Sequence, residues 1–141
     1  MERRRTGSDS PFEASIGFSR AVRIGDRVLV SGTAPIGVDG SPPSGAGEQA
    51  RRCLDIIGAA LTDLGARLDD VVRTRIYLTS AGDAREVGAV HAEVFAAVRP
   101  AATMVVVAAL LDPRWRVEIE AEAVVGSGGH LTAGSPRADG R

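Results

Sequence analysis

Three carboxylates stand at alternate positions near the end of the chain, where "VEIEAEAVV" carries Glu118, Glu120 and Glu122 between Val117, Ile119, Ala121 and Ala123. Successive side chains leave a strand on opposite sides, so this spacing predicts one acidic face and one apolar face. A positioned carboxylate can activate water or carry a proton, but like charges in a row repel and need partners. The stretch "DVVRTRIYLTS" offers them, with Val72, Thr74, Ile76 and Leu78 predicted on one face and Arg73, Arg75 and Tyr77 on the other. If the two strands are neighbours, arginines and carboxylates pair across the sheet, each exposed pair contributing about 0.2–1 kcal/mol. Other reactive side chains are few. Cys53 falls beside an apolar helical stripe and reads as a small buried residue rather than a reactive thiol. His91 flanks a second helix without a Cys, Ser or Asp motif nearby and reads as structural. His130 is isolated in a Gly-rich stretch and is excluded as a ligand.

The elements that must position these groups follow from periodicity. "SRAVRIGDRVLVSGTAP" predicts a hairpin turning at "GD", with Val28 and Val30 on one face and Leu29 and Ser31 on the other. After the turn formers of "DGSPPSGAG", the stretch "EQARRCLDIIGAALTDLGA" places Ala50, Leu54, Ile57, Leu61 and Leu64 at helical spacing and stops at Gly65. "DAREVGAVHAEVFAAV" opens with Asp83 and Glu86 in capping-box spacing and carries Val87, Val90, Val94 and Val98 along one stripe. "RPAATMVVVAALL" is a strand apolar on both faces, and Trp115 in the "DPRW" turn before the acidic strand reads as a packing aromatic. The order β-β-α-β-α-β-β makes an α+β single sheet with two helices on one face. A strand apolar on both faces requires a second cover, for which another subunit is the economical candidate.

The 141 residues fit one domain. The expected division is a flexible N-terminal tail at 1–16, the folded domain at 17–125 and a flexible C-terminal tail at 126–141. Formal net charge is −1 and all 17 basic residues are arginine, so no global basic field favours nucleic acid, which is not an expected partner. One cysteine excludes an intrachain disulfide framework and fits a reducing compartment. No apolar run reaches membrane-spanning length, and "MERRRTGSDSPF" is not followed by a signal-like apolar stretch; a cytoplasmic protein with no membrane partner is expected.

Taken in order and spacing, "SRAVRIGDRVLVSGTAP", "QARRCLDIIGAAL", "DVVRTRIYLTS", "VHAEVF", "RPAATMVVVAAL" and "VEIEAEAV" resemble the Rid family, the RidA/YjgF-like proteins also described as endoribonuclease L-PSP. The resemblance runs from about Phe18 to Val125. It implies a chorismate-mutase-like fold and a barrel-like homotrimer with small-molecule clefts between subunits. It further implies cofactor-independent hydrolysis of reactive imines and enamines such as 2-aminoacrylate. Glu118 matches the family's water-activating acid, Ser31 and Gly32 the hydroxyl and backbone groups after the second strand, and Met104 a residue lending its carbonyl.

This sequence departs from the family at the carboxylate grip. Where deaminating relatives have "PARS", it reads Pro100, Ala101, Ala102 and Thr103, and the aromatic of "GPY" is Phe18, without a hydroxyl. Ala102 cannot bind a carboxylate, so the bidentate clamp is lost unless another arginine replaces it. Arg75 is the first choice, ahead of Arg73, Arg20 and Arg99. The expected site therefore comprises catalytic Glu118 with Phe18, Ser31, Gly32, Arg75, Ala102, Thr103 and Met104, and no metal or cofactor. Two alternatives stand beside the hydrolase: a trimeric small-molecule binder without catalysis, and, with less support, a ribonuclease or translation inhibitor.

Overall fold

The computed structural model describes residues 1–8 and 10–130. Along the chain lie β1 (Arg3–Thr6), α1 (Phe12–Ile16), β2 (Ala21–Ile24), β3 (Arg27–Thr33), α2 (Ala46–Asp63), β4 (Val71–Leu78), α3 (Ala84–Phe95), β5 (Ala101–Val106) and β6 (Val117–Val124). The strands form one sheet in the order β1-β2-β3-β6-β4-β5. Neighbours are antiparallel except β4 and β5, which α3 connects as a parallel pair. The predicted succession from β2 to β6 is present. So is the predicted core: Val28 and Val30 of β3, Ile76 and Leu78 of β4 and Val117, Ile119, Ala121 and Ala123 of β6 are buried with Ala50, Leu54, Ile57 and Leu61 of α2. Fully burying one such Leu or Ile contributes roughly 1.5–3 kcal/mol. Gly65 ends α2 at φ +81°, a conformation that glycine adopts without a Cβ penalty.

Four local expectations are revised. Residues 3–6 of the predicted tail form β1, paired with β2 along its free edge, and residues 12–16 form a short helix. At the other end Ser127 and Gly128 bond to Asp70, while the side chain of His130 and residues 131–141 lie outside the described part. Val72 is 40% exposed and Val71 takes the buried place, because a register shift between Val71 and Arg73 reverses the alternation at the start of β4. Asp83 makes no capping bond to α3; its carboxylate takes two bonds from Arg116, at 2.7 and 3.1 Å, which ties the start of α3 to the chain entering β6.

β5 closes one edge of the sheet, and both its faces are exposed along its whole length. Its register partners in β4 divide it: Ala102, Met104 and Val106 lie level with Thr74, Ile76 and Leu78 on the helix side, whereas Ala101, Thr103 and Val105 lie level with Arg73, Arg75 and Tyr77 on the polar side. The helices cover β4 but stop short of β5.

Candidate active site at the Gly32 bulge

On the polar face β4 and β6 run in register, with Arg73 opposite Glu122, Arg75 opposite Glu120 and Tyr77 opposite Glu118. Two of the three acids are satisfied there. The Tyr77 hydroxyl donates to Glu120 Oε1 at 2.6 Å, a bond that also raises its own pKa above the usual phenol value. Arg75 Nη1 lies 3.4 Å from Glu120 and 3.6 Å from Glu122, and Arg27 reaches Glu122 at 3.7 Å. Arg73 makes no ion pair among the described residues. A groove of about 420 Å³ over this face is walled by Arg73, Arg75, Glu120, Glu122 and Ser31, and Glu118 lies outside it.

Glu118 is set apart by the way β3 meets β6. Their register shifts between Val30 and Thr33, leaving Ser31 and Gly32 in a bulge against the strand that carries Glu118. The bulge is pinned from several sides: Ser31 N–H donates to Arg20 O at 3.0 Å, Ser31 Oγ to Ser19 O at 2.8 Å, and Thr33 Oγ1 to Ser31 O at 2.8 Å. The Glu118 carboxylate rests on Gly32 so closely that a Cβ added there would lie 3.1 Å from Oε2. It accepts no hydrogen bond among the described residues. Burial raises its pKa above the ordinary glutamate value, Arg20 opposes that rise, and Glu120 adds to it. A half-buried carboxyl without a fixed partner and with its acidity moved toward neutrality suits proton transfer to and from water.

Phe18 reaches this corner because α1 ends at Gly17, whose left-handed φ of +90° turns the chain back, and Phe18 N–H bonds to Glu13 O at 3.0 Å. The guanidinium of Arg20 stands 5.7 Å from the centre of the Phe18 ring, within cation–π range. Phe18, Ser31, Gly32 and Glu118 thus come together in one chain with Arg20. Ala102 and Met104 do not join them, since they lie on the helix side of β5 while Glu118 lies on the polar side. Thr103 shares the polar side with Arg75. One chain therefore keeps the two groups of residues apart. The helix side of β4 beside Ala102 borders α3, where His91 Nε2 and Thr74 Oγ1 lie 2.8 Å apart and the imidazole packs at a tilt on Phe95; burial lowers its pKa.

The arginines expected from the sequence stand in different surroundings. Arg75 is engaged by Glu120 and Glu122, so its charge already answers two carboxylates of the sheet. The arginine whose field acts on Glu118 is Arg20, 5% exposed, a residue that the order of preference from sequence placed behind Arg75. Arg99 is exposed at the end of α3 and holds a left-handed φ of +52°. Cys53 is buried and its thiol is pushed far up by burial, and Trp115 is likewise buried.

A single six-stranded sheet with helices packed on one face and an acid seated on a strand bulge define an α+β protein of the Rid type. The chain belongs to the Endoribonuclease L-PSP family, which it matches over residues 8–125. The crystal structure of a Mycobacterium tuberculosis member of the YjgF/YER057c/UK114 family superimposes with a TM-score of 0.82, at 47% identity, over 88% of this chain and 100% of that one. An uncharacterised Streptomyces coelicolor protein is 39% identical over 129 residues, 88% of this chain and 93% of its own. A mouse protein named 2-iminobutanoate/2-iminopropanoate deaminase is 35% identical over 129 residues, 87% of this chain and 93% of its own. No helix among the described residues is long and apolar enough to cross a membrane.

Proposed function

We propose that this protein hydrolyses small imines or enamines in clefts between the subunits of a homotrimer, with Glu118 as the group that activates water. The observation that carries the reading is the Glu118 carboxyl on the Gly32 bulge, half-buried, without a hydrogen-bond donor among the described residues and with a raised pKa. In the proposed reaction Glu118 takes a proton from water as the water oxygen bonds to the iminium carbon, and the C=N π pair moves onto nitrogen. Glu118 returns that proton to nitrogen and then takes the hydroxyl proton as the O–H electron pair forms the carbonyl and the C–N pair leaves with ammonia; the proton on Glu118 passes to solvent or to the ammonia. The iminium carbon is intrinsically electrophilic, so the balance needs water alone and no cofactor. The mouse relative's name supports this reaction class, and the division of the site between two faces supports a cleft completed by a second copy that brings its β5 to this Glu118.

With Ala102 in place of an arginine, Phe18 in place of a hydroxylated aromatic and Arg75 held by two glutamates, the cleft lacks the family's carboxylate grip. The proposed substrate is accordingly an imine other than 2-aminoacrylate. The same two losses favour a second reading, a trimeric binder without turnover.

The test generates imines of different sizes in situ with an amino-acid oxidase and follows the carbonyl product with wild type, Glu118→Gln and Ala102→Arg. Hydrolysis by wild type that Glu118→Gln abolishes supports the enzyme. Activity on 2-aminoacrylate that appears with Ala102→Arg supports the missing grip as the reason for altered specificity. Ligand-dependent stabilisation, with no turnover of any imine by any variant, favours the binder.

A further inference from the structure

Arg20 stands out among the 17 arginines. At 5% exposure it is the one buried arginine among the described residues, and it is not there for packing alone. Its Nη2 donates to the carbonyl oxygen of Gly32, the residue against which Glu118 rests, and its backbone joins Thr6 of β1 on one side and Ser31 of the bulge on the other. Its Nε is buried with no acceptor among the described residues. Enclosing a guanidinium with one idle donor costs stability, and an apolar side chain would fill the place at lower cost. The burial makes sense if the charge acts on something nearby.

We infer that Arg20 is the positioning residue of this site: its guanidinium fixes the Gly32 bulge under the Glu118 carboxylate and supplies there the positive charge that Ala102 no longer supplies to a ligand. The inference rests on the proposed hydrolase reading for its meaning in turnover. Its structural content, a charge that governs the place and ionisation of Glu118, can be measured without any substrate.

The groups around Glu118 come from several elements. Glu120 of the same strand raises the pKa of Glu118, and Arg20 lowers it. Tyr77 and Arg75 face it from β4, with the Tyr77 proton held toward Glu120. Cys53 of α2 lies within the field of both Glu118 and Arg20 but burial holds its thiol proton, and Glu13 of α1 acts on the charge of Arg20. Arg20 is therefore the cation that offsets burial at Glu118. It touches no reacting atom in this account, and a change there acts through the carboxylate.

The experiment follows the Glu118 carboxyl by carbon NMR across pH, assigned by the signal that Glu118→Gln removes, in wild type, Arg20→Gln and Arg20→Lys, with melting curves for each. In Arg20→Gln the Glu118 titration is expected at higher pH, and the acid limb of the kcat/KM profile for imine hydrolysis moves with it. Turnover at neutral pH falls by about tenfold or more, and Arg20→Lys restores the titration and part of the rate. A folded Arg20→Gln protein whose Glu118 titrates as in wild type overturns the inference.

Should Arg20→Gln not fold, Arg20→Lys decides. A wild-type titration with lowered turnover, the charge kept and the fork to Gly32 lost, sustains the inference; a displaced titration with wild-type turnover sinks it. A wild type that hydrolyses no imine, with a Glu118 titration that still answers to Arg20, removes the hydrolase reading and leaves the positioning role standing.

Discussion

Gly32→Ala separates the site from the fold more sharply than a change to any charged residue. The added methyl carbon would lie 3.1 Å from Glu118 Oε2, 3.4 Å from its carboxyl carbon and 3.9 Å from the preceding methylene. Ordinary contact begins nearer 3.5 Å, so one partner must yield by a few tenths of an ångström. The bulge backbone is held by the bonds from Ser31 and Thr33 and by Arg20. The carboxylate is the end of a flexible side chain with no donor holding it among the described residues, and it moves. Little stability is lost: Gly32 is not at positive φ, and replacing glycine where alanine fits the backbone contributes about 0.4–1 kcal/mol through the unfolded chain. The melting temperature should therefore stay within a few degrees of wild type. Water activation is less tolerant, since displacement of a catalytic group by about 1 Å can cost about 100-fold; a shift of a few tenths predicts a loss of roughly 3- to 10-fold in kcat/KM. The assay is carbonyl formation from the in situ imines, with melting measured on the same preparations. Wild-type kcat/KM in a folded Gly32→Ala protein would refute the placement of Glu118 as the water-activating group.

Removing the base itself, in Glu118→Gln, should lower kcat by about 100- to 10,000-fold, the usual span of general base catalysis, with the fold retained. The raised Glu118 pKa makes its contribution to stability fully present below the unfolded value near 4.5 and lost as pH rises through the folded value; Glu118→Gln should flatten that part of the stability–pH curve. His91 behaves in the opposite sense: its lowered pKa contributes stability above the unfolded value near 6.5, lost as pH falls through the folded value, and denaturant titrations of wild type and His91→Gln between neutral and mildly acidic pH should diverge accordingly. Gly65→Ala should cost at least about 1–2 kcal/mol, because φ +81° disfavours a Cβ and the new atom would lie 2.8 Å from Arg23 Nη1; the urea midpoint measures it. Val105→Glu, on the exposed apolar edge strand, should reduce the assembly to smaller species in sedimentation if a second copy covers β5.

Much of the fold is legible because burial on one face leaves a period in the sequence. The alternation in 117–124 and most of 71–78, and the helical stripes of α2 and α3, need only the contrast between apolar and charged residues. Features without such a period are hidden. β1 reads "RRRT" and buries no side chain, so its pairing rests on backbone hydrogen bonds at the free edge of β2. The bulge that exposes Val72 inserts one residue into an otherwise regular pattern. The capping spacing of Asp83 and Glu86 is real, yet Arg116, distant in sequence, claims the Asp83 carboxylate. The site divides likewise. The acid and the bulge residues are recognisable from "VEIEAEAVV" and "VSGT", whereas nothing local distinguishes Arg20 from Arg75.

That difference bears on how such a site can change ligands. Arg75 stands on a regular strand with its charge shared between Glu120 and Glu122 at partly exposed positions, where ion pairs are weak, about 0–1 kcal/mol, and readily exchanged for water. Arg20 sits where the sheet ends, enclosed by the Phe18 ring and the Gly32 carbonyl. There solvent screens its field less, and its charge reaches Glu118 more effectively than an exposed pair would. In the proposed hydrolase, with this cation fixed in the scaffold, alanine in place of arginine at position 102 alters what the cleft can hold without withdrawing the positive charge beside Glu118. In the proposed trimer the two groups of residues can then vary separately, β5 of one subunit setting the ligand and the bulge of its neighbour preserving the chemistry. Exchanging β5 residues 101–106 between this chain and a 2-aminoacrylate-hydrolysing relative should therefore move substrate preference with β5, while the pH profile stays with the chain that carries Arg20 and Glu118.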